Sequence, residues 1–374
     1  MIKVLVVDES PIVCRLLSSY LQIADDIEVV GVASDGMACL SKIQALQPDV
    51  VTLGLALPKM DGLETLGHIM HDMPTPVVVI TGASRRAARL SLAALNAGAV
   101  DFILKYSSQA NMPPSSLRQE IVDKVRAAAK VRVVRSVRKR LVQFDGADPI
   151  TAKVVRPIVA QRSSTKSDAD AAPAGWPNQV IVVGASTGGP VAVRELLEQL
   201  PSQFPASILV VQHMPATFTG VLAAQLDQQI SLPVREAQSG DELRAGQVLV
   251  VPGDYHLLVE EDVAVVLNQA PKIMGHRPSI DVTMQSVAQV FGRRTHGIVL
   301  TGMGEDGTMG LMAIQAKGGK TYTQDSDSCV VDGMPQRARE RNVGGFVGTP
   351  LAIGQKLREV MQAEADFQVS IVNP

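Results

Sequence analysis

The segment Gln179–Pro190, QVIVVGASTGGP, limits the fold more than any other part of the chain. A run of β-branched residues, Val180 to Val183, stops at Gly184-Ala-Ser-Thr-Gly-Gly, and a helical stretch, Val191–Leu200, follows. A buried strand, a glycine turn and a helix, in that order, form the unit from which parallel α/β sheets are built. The turn also carries a serine. Gly184-x-Ser186-x-Gly188 has the spacing of a nucleophile elbow, where a sharp turn lifts a hydroxyl above the sheet edge. The same glycines before a helix suit a phosphate held on backbone N–H groups. At this point both readings stand.

A chain of 374 residues has room for two domains, each with its own core. Aromatic residues make up only 3%, so the cores must be aliphatic, and stacked-base nucleic-acid platforms are disfavoured. A net charge of −2 gives no pull toward nucleic acid or anionic membrane. Cys14, Cys39 and Cys329 lack metal spacing and read as buried thiols in a reducing compartment. Acidic residues follow the N-terminus too early for a signal peptide, and no apolar run is long enough to span a bilayer. A cytoplasmic protein without membrane insertion is expected. Nothing in the pattern calls for a cofactor or a resident metal.

Residues 2–105 alternate β-branched runs with helical stretches. Strands are predicted at Lys3–Val7, Glu28–Ala33, Val50–Leu53, Val77–Thr81 and Asp101–Leu104. Helices are predicted between them, and the sum is a doubly wound parallel sheet. Ser115 to about Arg140 reads as one long helix leading out of this domain. From Arg118 to Arg140 it has nine Lys/Arg against two Asp/Glu, which suits a solvated face. Residues 143–177 lose periodicity and read as a flexible linker. A second α/β pattern begins at Gln179. Its predicted strands are Val180–Val183, Ser207–Val211, Val248–Val251, His256–Val259, Ala264–Leu267, Gly297–Leu300 and Lys320–Thr323. The division is 1–114, a basic helix and linker at 115–178, and 179–374.

A serine hydroxyl needs a base to take its proton and a third group to orient that base. Strand polarity ranks the histidines of the second half. His213 directly follows Ser207–Val211 and Gln212, at the same sheet edge as Ser186. His256 and His296 sit at strand starts, and His276 precedes a helix start with Ser279 as N-cap. Past the strand Gly297–Leu300, the loop Thr301-Gly-Met-Gly-Glu-Asp-Gly ends in Asp306, with Glu305 as its rival. Asp306 also reads as a cap for the helix from Thr308.

Taken together, GAS186TGG, QH213MP, PGDYHL, RPSIDV, TGMGED306G and VVDGMP resemble the successive blocks of the bacterial chemotaxis protein-glutamate methylesterase (CheB) family. The resemblance implies Ser186 as nucleophile, His213 as base and Asp306 as its orienting carboxylate. It implies the Met303 N–H at the developing oxyanion, and geometry adds the Thr187 N–H. The implied substrate is a glutamate γ-methyl ester on chemoreceptors, with deamidation of receptor glutamines at the same site. Residues 1–114 resemble a flavodoxin-like response-regulator receiver. Asp8 and Glu9 fit its magnesium-binding acidic pair, and Thr81 and Lys105 fit the ends of strands four and five. The acceptor position does not fit, because Gly54 stands where the family has aspartate and Ala56 where a carboxylate is usual. Phosphorylation in the family's way is not expected, and a chemotaxis histidine kinase enters only by docking. Two other classes are a nucleotide-binding α/β domain, which would lack a P-loop lysine, and a non-enzymatic signalling adaptor.

Overall fold

The computed structural model describes residues 1–105, 114–131, 177–261 and 264–372. The N-terminal unit has strands β1 (Ile2–Val7), β2 (Ile27–Ala33), β3 (Val50–Gly54), β4 (Val77–Thr81) and β5 (Asp101–Leu104). Helices α1 (Pro11–Leu21), α2 (Gly36–Leu46), α3 (Gly62–Asp72), α4 (Arg85–Asn96) and α5 (Pro114–Ala128) alternate with them. The strands form one parallel sheet in the order β2-β1-β3-β4-β5. β3 and β4 are buried at every residue, as parallel strands covered on both faces must be, and this is why they read as nearly continuous apolar runs. Ser10, Asp35, Asp61 and Ser84 each cap the helix that follows them.

The helix α5 differs from its expected role. It ends at Ala128 rather than near Arg140, and it packs inward against α1 and β5. Ile121, Val122, Val125 and Ala128 are buried with Val4, Val6 and Leu17 in one core cluster. The Lys/Arg count hid an apolar stripe at 121, 122, 125 and 128, the spacing of one helix face. The expected linker falls almost wholly within residues 132–176, which lie outside the described residues.

The second unit has a parallel seven-stranded sheet in the order β14-β13-β12-β6-β7-β9-β8. Its strands are β6 (Gln179–Ala185), β7 (Ala206–Gln212), β8 (Val234–Glu236), β9 (Val248–Val250), β12 (Thr295–Val299), β13 (Lys320–Gln324) and β14 (Phe346–Gly348). β10 (His256–Val259) and β11 (Val265–Asn268) form a separate antiparallel hairpin, not part of the main sheet. The helices are α6 (Gly189–Leu197), α7 (Ala216–Gln229), α8 (Ile280–Phe291), α9 (Thr308–Ala316), α10 (Met334–Glu340) and α11 (Pro350–Val372). After β6 the chain adds β7 on one side, and later β12 on the other. That reversal opens a crevice at the carboxyl end of β6, where open α/β sheets hold their ligands. No helix among the described residues is long and apolar enough to cross a membrane.

Candidate active site

Ser186, His213 and Asp306 leave three neighbouring strands at that crevice. In the ladder, Ala185 pairs with Gln212, so Ser186 and His213 step off β6 and β7 at the same level. On the other side Val299 pairs with Gly184, and Thr301 begins the loop that carries Asp306. Backbone hydrogen bonds fix the exits: His213 N donates to Ala185 O at 3.1 Å, and Ser186 N to Thr301 O at 3.0 Å. The buried Gln212 side chain, which the sequence did not single out, donates to Ser186 O at 2.9 Å and to His213 O at 3.3 Å.

His213 and Asp306 meet directly, with Nε2 2.8 Å from Oδ2 and side-chain exposures of 6% and 2%. His213 Nδ1 is buried and has no hydrogen-bond partner among the described residues. No hydrogen bond joins the Ser186 hydroxyl to His213. Glu305 is exposed, which removes it as a rival to Asp306. The loop carrying Met303 lies against Ser186, because a Cβ on Gly302 would come within 2.7 Å of Ser186 Cβ. Only glycine fits there. The N–H groups of Met303 and Thr187 donate to no backbone carbonyl among the described residues.

Asp306 does not cap α9, as its position in sequence suggested. Its carboxylate lies at the start of α8 and accepts from Ile280 N at 2.8 Å, Asp281 N at 2.9 Å and Ser279 Oγ at 3.0 Å. The buried Asp281 returns the arrangement, accepting from Gly307 N at 2.9 Å and Gly310 N at 2.6 Å at the start of α9. Each carboxylate thus caps the other's helix and meets its positive end. Burial alone would push the Asp306 carboxyl up. The His213 hydrogen bond and charge and the N–H groups of Asp281 and Ile280 outweigh it and hold the carboxyl at about 2. For Asp281, burial and then the Asp306 charge push the carboxyl up to about 6.

This yields a stability prediction. A carboxyl raised in the folded state contributes most below its unfolded value of 3.8 and loses that contribution as pH rises through about 6. Asparagine has no proton to lose and still accepts from the two N–H groups. Asp281→Asn should therefore gain thermal stability relative to the parent as pH rises across that window. Melting curves with a constant offset from pH 4 to 7 would contradict the assignment.

The other histidines are structural or unexpected. His256 accepts from Ser279 N at 3.2 Å through Nδ1, and its Nε2 meets Pro271 O. His296 lies between Tyr322 and Gln179, and burial, then Lys320, hold it at about 3, so it stays neutral. His276, read only as preceding a helix, stacks on His213.

In the N-terminal unit, Asp8, Glu9 and Lys105 meet at the carboxyl edge of the sheet. The Lys105 ammonium is 2.8 Å from Asp8 Oδ2 and 3.0 Å from Glu9 Oε1. Thr81 is buried at the end of β4 and accepts from Lys105 N through its carbonyl. Gly54 ends β3 so close to Asp8 that a Cβ there would lie 2.8 Å from Oδ2. The residues present do not suit a magnesium ion. The third carboxylate is missing, and the Lys105 ammonium already bridges the pair and offsets one of its two charges.

Comparison with known proteins decides the class. The family model for the CheB methylesterase matches residues 181–357, and that for the response regulator receiver domain matches 4–114. The protein-glutamate methylesterase/protein-glutamine glutaminase of Symbiobacterium thermophilum is 42% identical over 335 residues, 90% of each chain. The chain belongs to the CheB methylesterase family. A relative of the same name from Pyrococcus horikoshii is 38% identical over 351 residues, covering 92% of this chain and 90% of its own. The crystal structure of the Thermotoga maritima CheB methylesterase catalytic domain is 39% identical, with a TM-score of 0.48 over 49% of this chain and 98% of that one.

The receiver lies against the methylesterase half beside the candidate site. Phe102 of β5 stacks on Phe218 of α7, with ring centroids 4.6 Å apart and planes 3° apart. Thr187, next to Ser186, donates its hydroxyl to Asp101 Oδ2 at 2.5 Å in a buried contact. Lys124 of α5 pairs with Asp101 and Glu120. α4 packs on α6 and α7, and one buried apolar cluster includes Leu92, Leu95, Phe102, Phe218 and Leu222.

Proposed function

We propose that the protein removes γ-methyl esters from glutamates of chemoreceptors, with Ser186 as nucleophile, His213 as general base and Asp306 as the carboxylate that orients His213. The observation that carries the proposal is the buried His213–Asp306 pair, 2.8 Å apart, reaching the edge where Ser186 leaves the sheet at the level of His213. Asp306 engages Nε2, so Nδ1 is the nitrogen that takes the serine proton. In the familiar serine proteases the two nitrogens have the opposite roles. Absence of a Ser186–His213 hydrogen bond in the free protein is compatible with this, because such contacts tighten when substrate binds.

Ser186 Oγ attacks the ester carbonyl as His213 accepts its proton. The oxyanion is held by the Met303 and Thr187 N–H groups. His213 returns the proton to the leaving methoxide, and methanol departs. Water, deprotonated by His213, then hydrolyses the glutamyl-enzyme to a free carboxylate. A glutamine side chain would follow the same course with ammonia as leaving group. The work is cytoplasmic, and residues 179–374 carry it. Full-length protein should release methanol from a methylated chemoreceptor, and a serine-directed phosphonate should label Ser186 and stop the release. Methanol release that survives complete labelling would refute the nucleophile. A nucleotide-binding role is disfavoured because the glycine turn is closed on itself by Gly189 N donating to Ser186 O at 2.8 Å.

The receiver does not accept a phosphoryl group at position 54, since glycine has no oxygen to offer. Asp49 accepts from Lys3 N and Asp61 caps α3, so neither carboxylate stands in. Acetyl phosphate with magnesium should leave no acyl-phosphate on the receiver and should not speed the esterase. Gly54→Asp should regain slow phosphorylation at most, because the new Cβ crowds Asp8 and forces the Lys105 pairing to rearrange. Mass spectrometry after treatment gives the answer, and an acyl-phosphate on the unaltered receiver would overturn this reading.

A further inference from the structure

The segment Ile273–Ser279 touches both polar partners of the proposed triad. His276 lies flat on His213, with ring centroids 3.9 Å apart and planes 4° apart. Three residues on, the Ser279 hydroxyl donates to Asp306 Oδ1 at 3.0 Å. The segment is fixed on both sides. Ile273 and His276 exchange two backbone hydrogen bonds, 3.0 and 2.8 Å, across a turn with Met274 at φ 48° and Gly275 at φ 84°. Positive φ at both central residues is the type I′ hairpin geometry, which sets the direction of the flanking residues. The Arg277 guanidinium grips Asp254 Oδ1 at 2.6 and 3.1 Å and the carbonyls of Gln269 and Ala270 at 2.8 and 2.9 Å. A short anchored turn therefore presents one ring to the base.

We propose that His276 is a positioning residue: its ring fixes the plane in which His213 faces Asp306, and its π face steadies the imidazolium formed when Ser186 gives up its proton. This rests on the triad reading above. An aromatic face within about 6 Å of a cation attracts it. The ring must stay uncharged to do so, since two imidazolium rings at that spacing would repel. Burial, then the His213 charge, hold His276 at about 4, with Asp306 acting against them and Lys272 and Lys124 adding to them. His276 is thus neutral at neutral pH.

The test uses full-length protein and three substitutions. His276→Phe keeps a flat aromatic ring, His276→Leu keeps bulk without it, and His276→Ala keeps neither. Methanol release from methylated receptor and the labelling rate of Ser186 by a serine-directed phosphonate are measured on each, with melting temperatures alongside. The Leu and Ala variants should lose kcat by roughly tenfold, about 1.4 kcal/mol of barrier, with KM changed less than about threefold. Labelling should slow in parallel, and His276→Phe should stay near the parent rate. A Leu variant at the parent kcat, or a Phe variant as slow as Ala, overturns the proposal. An unlabelled Ser186 in the parent protein would instead sink the triad reading itself, so the two failures are told apart.

Discussion

Replacing Ser186, His213 or Asp306 by alanine is expected to cut ester hydrolysis by on the order of a thousandfold or more in each case. The three act as one unit, so a double substitution should cost little more than the worst single one. Their effects on folding should differ. Ser186 contributes mainly backbone contacts, and Ser186→Ala should melt like the parent. Asp306 accepts from Ile280 N, Asp281 N and the Ser279 hydroxyl as well as from His213. Its removal strips the start of α8 of a carboxylate and leaves buried donors unpaired, at about 1–3 kcal/mol for such a group. Asp306→Asn is the cleaner probe. It keeps an acceptor for α8 but no longer offers His213 a negative charge, so activity should collapse with less loss of stability. Near-normal methanol release from Ser186→Ala would show that another group attacks the ester.

The sheet strands were legible because parallel strands buried on both faces leave nearly continuous apolar runs, as at Val50–Leu53 and Val77–Thr81. β8 and β14 were not. Val-Arg-Glu and Phe-Val-Gly are three residues each, with Val234 the one buried residue of the six, and hold no run to detect. The hairpin β10–β11 was read as strands, but nothing in a strand's pattern says which sheet it joins. Strand polarity sufficed to bring His213 and Asp306 to the edge of Ser186, since it depends only on chain direction. It could not reveal that Asp306 caps α8, that Asp281 caps α9 in return, or that Gln212 ties Ser186 to His213. Those contacts cross the crevice between distant segments. His276 was hidden for the same reason. Its neighbours Arg277, Pro278 and Ser279 carry a local helix-start signal that accounts for the segment without the stack. In α5 the spacing of Ile121, Val122, Val125 and Ala128 marks the buried face, and the net charge of the stretch does not.

Loosening the receiver from the methylesterase half should raise the activity of the full chain on the order of ten- to a hundredfold, toward the rate of residues 179–374 alone. The interface sits next to the nucleophile. Asp101 takes the hydroxyl of Thr187, the residue after Ser186, and Phe102 stacks on Phe218, five residues after His213. An aromatic stack contributes about 0.5–1.5 kcal/mol beyond its buried area. A buried hydrogen bond to a charged group adds about 1.5–3 kcal/mol. Loss of both is enough to shift a docking equilibrium through the whole range expected. Asp101→Ala with Phe102→Ala removes both from the receiver side and leaves Ser186, His213 and Asp306 untouched. Within the receiver, Lys124 keeps its ion pair with Glu120 in this variant. Equal methanol release from the parent, the double variant and residues 179–374 would mean that the docked receiver does not restrain the site, and the contact at Thr187 would then serve only to hold the two halves together.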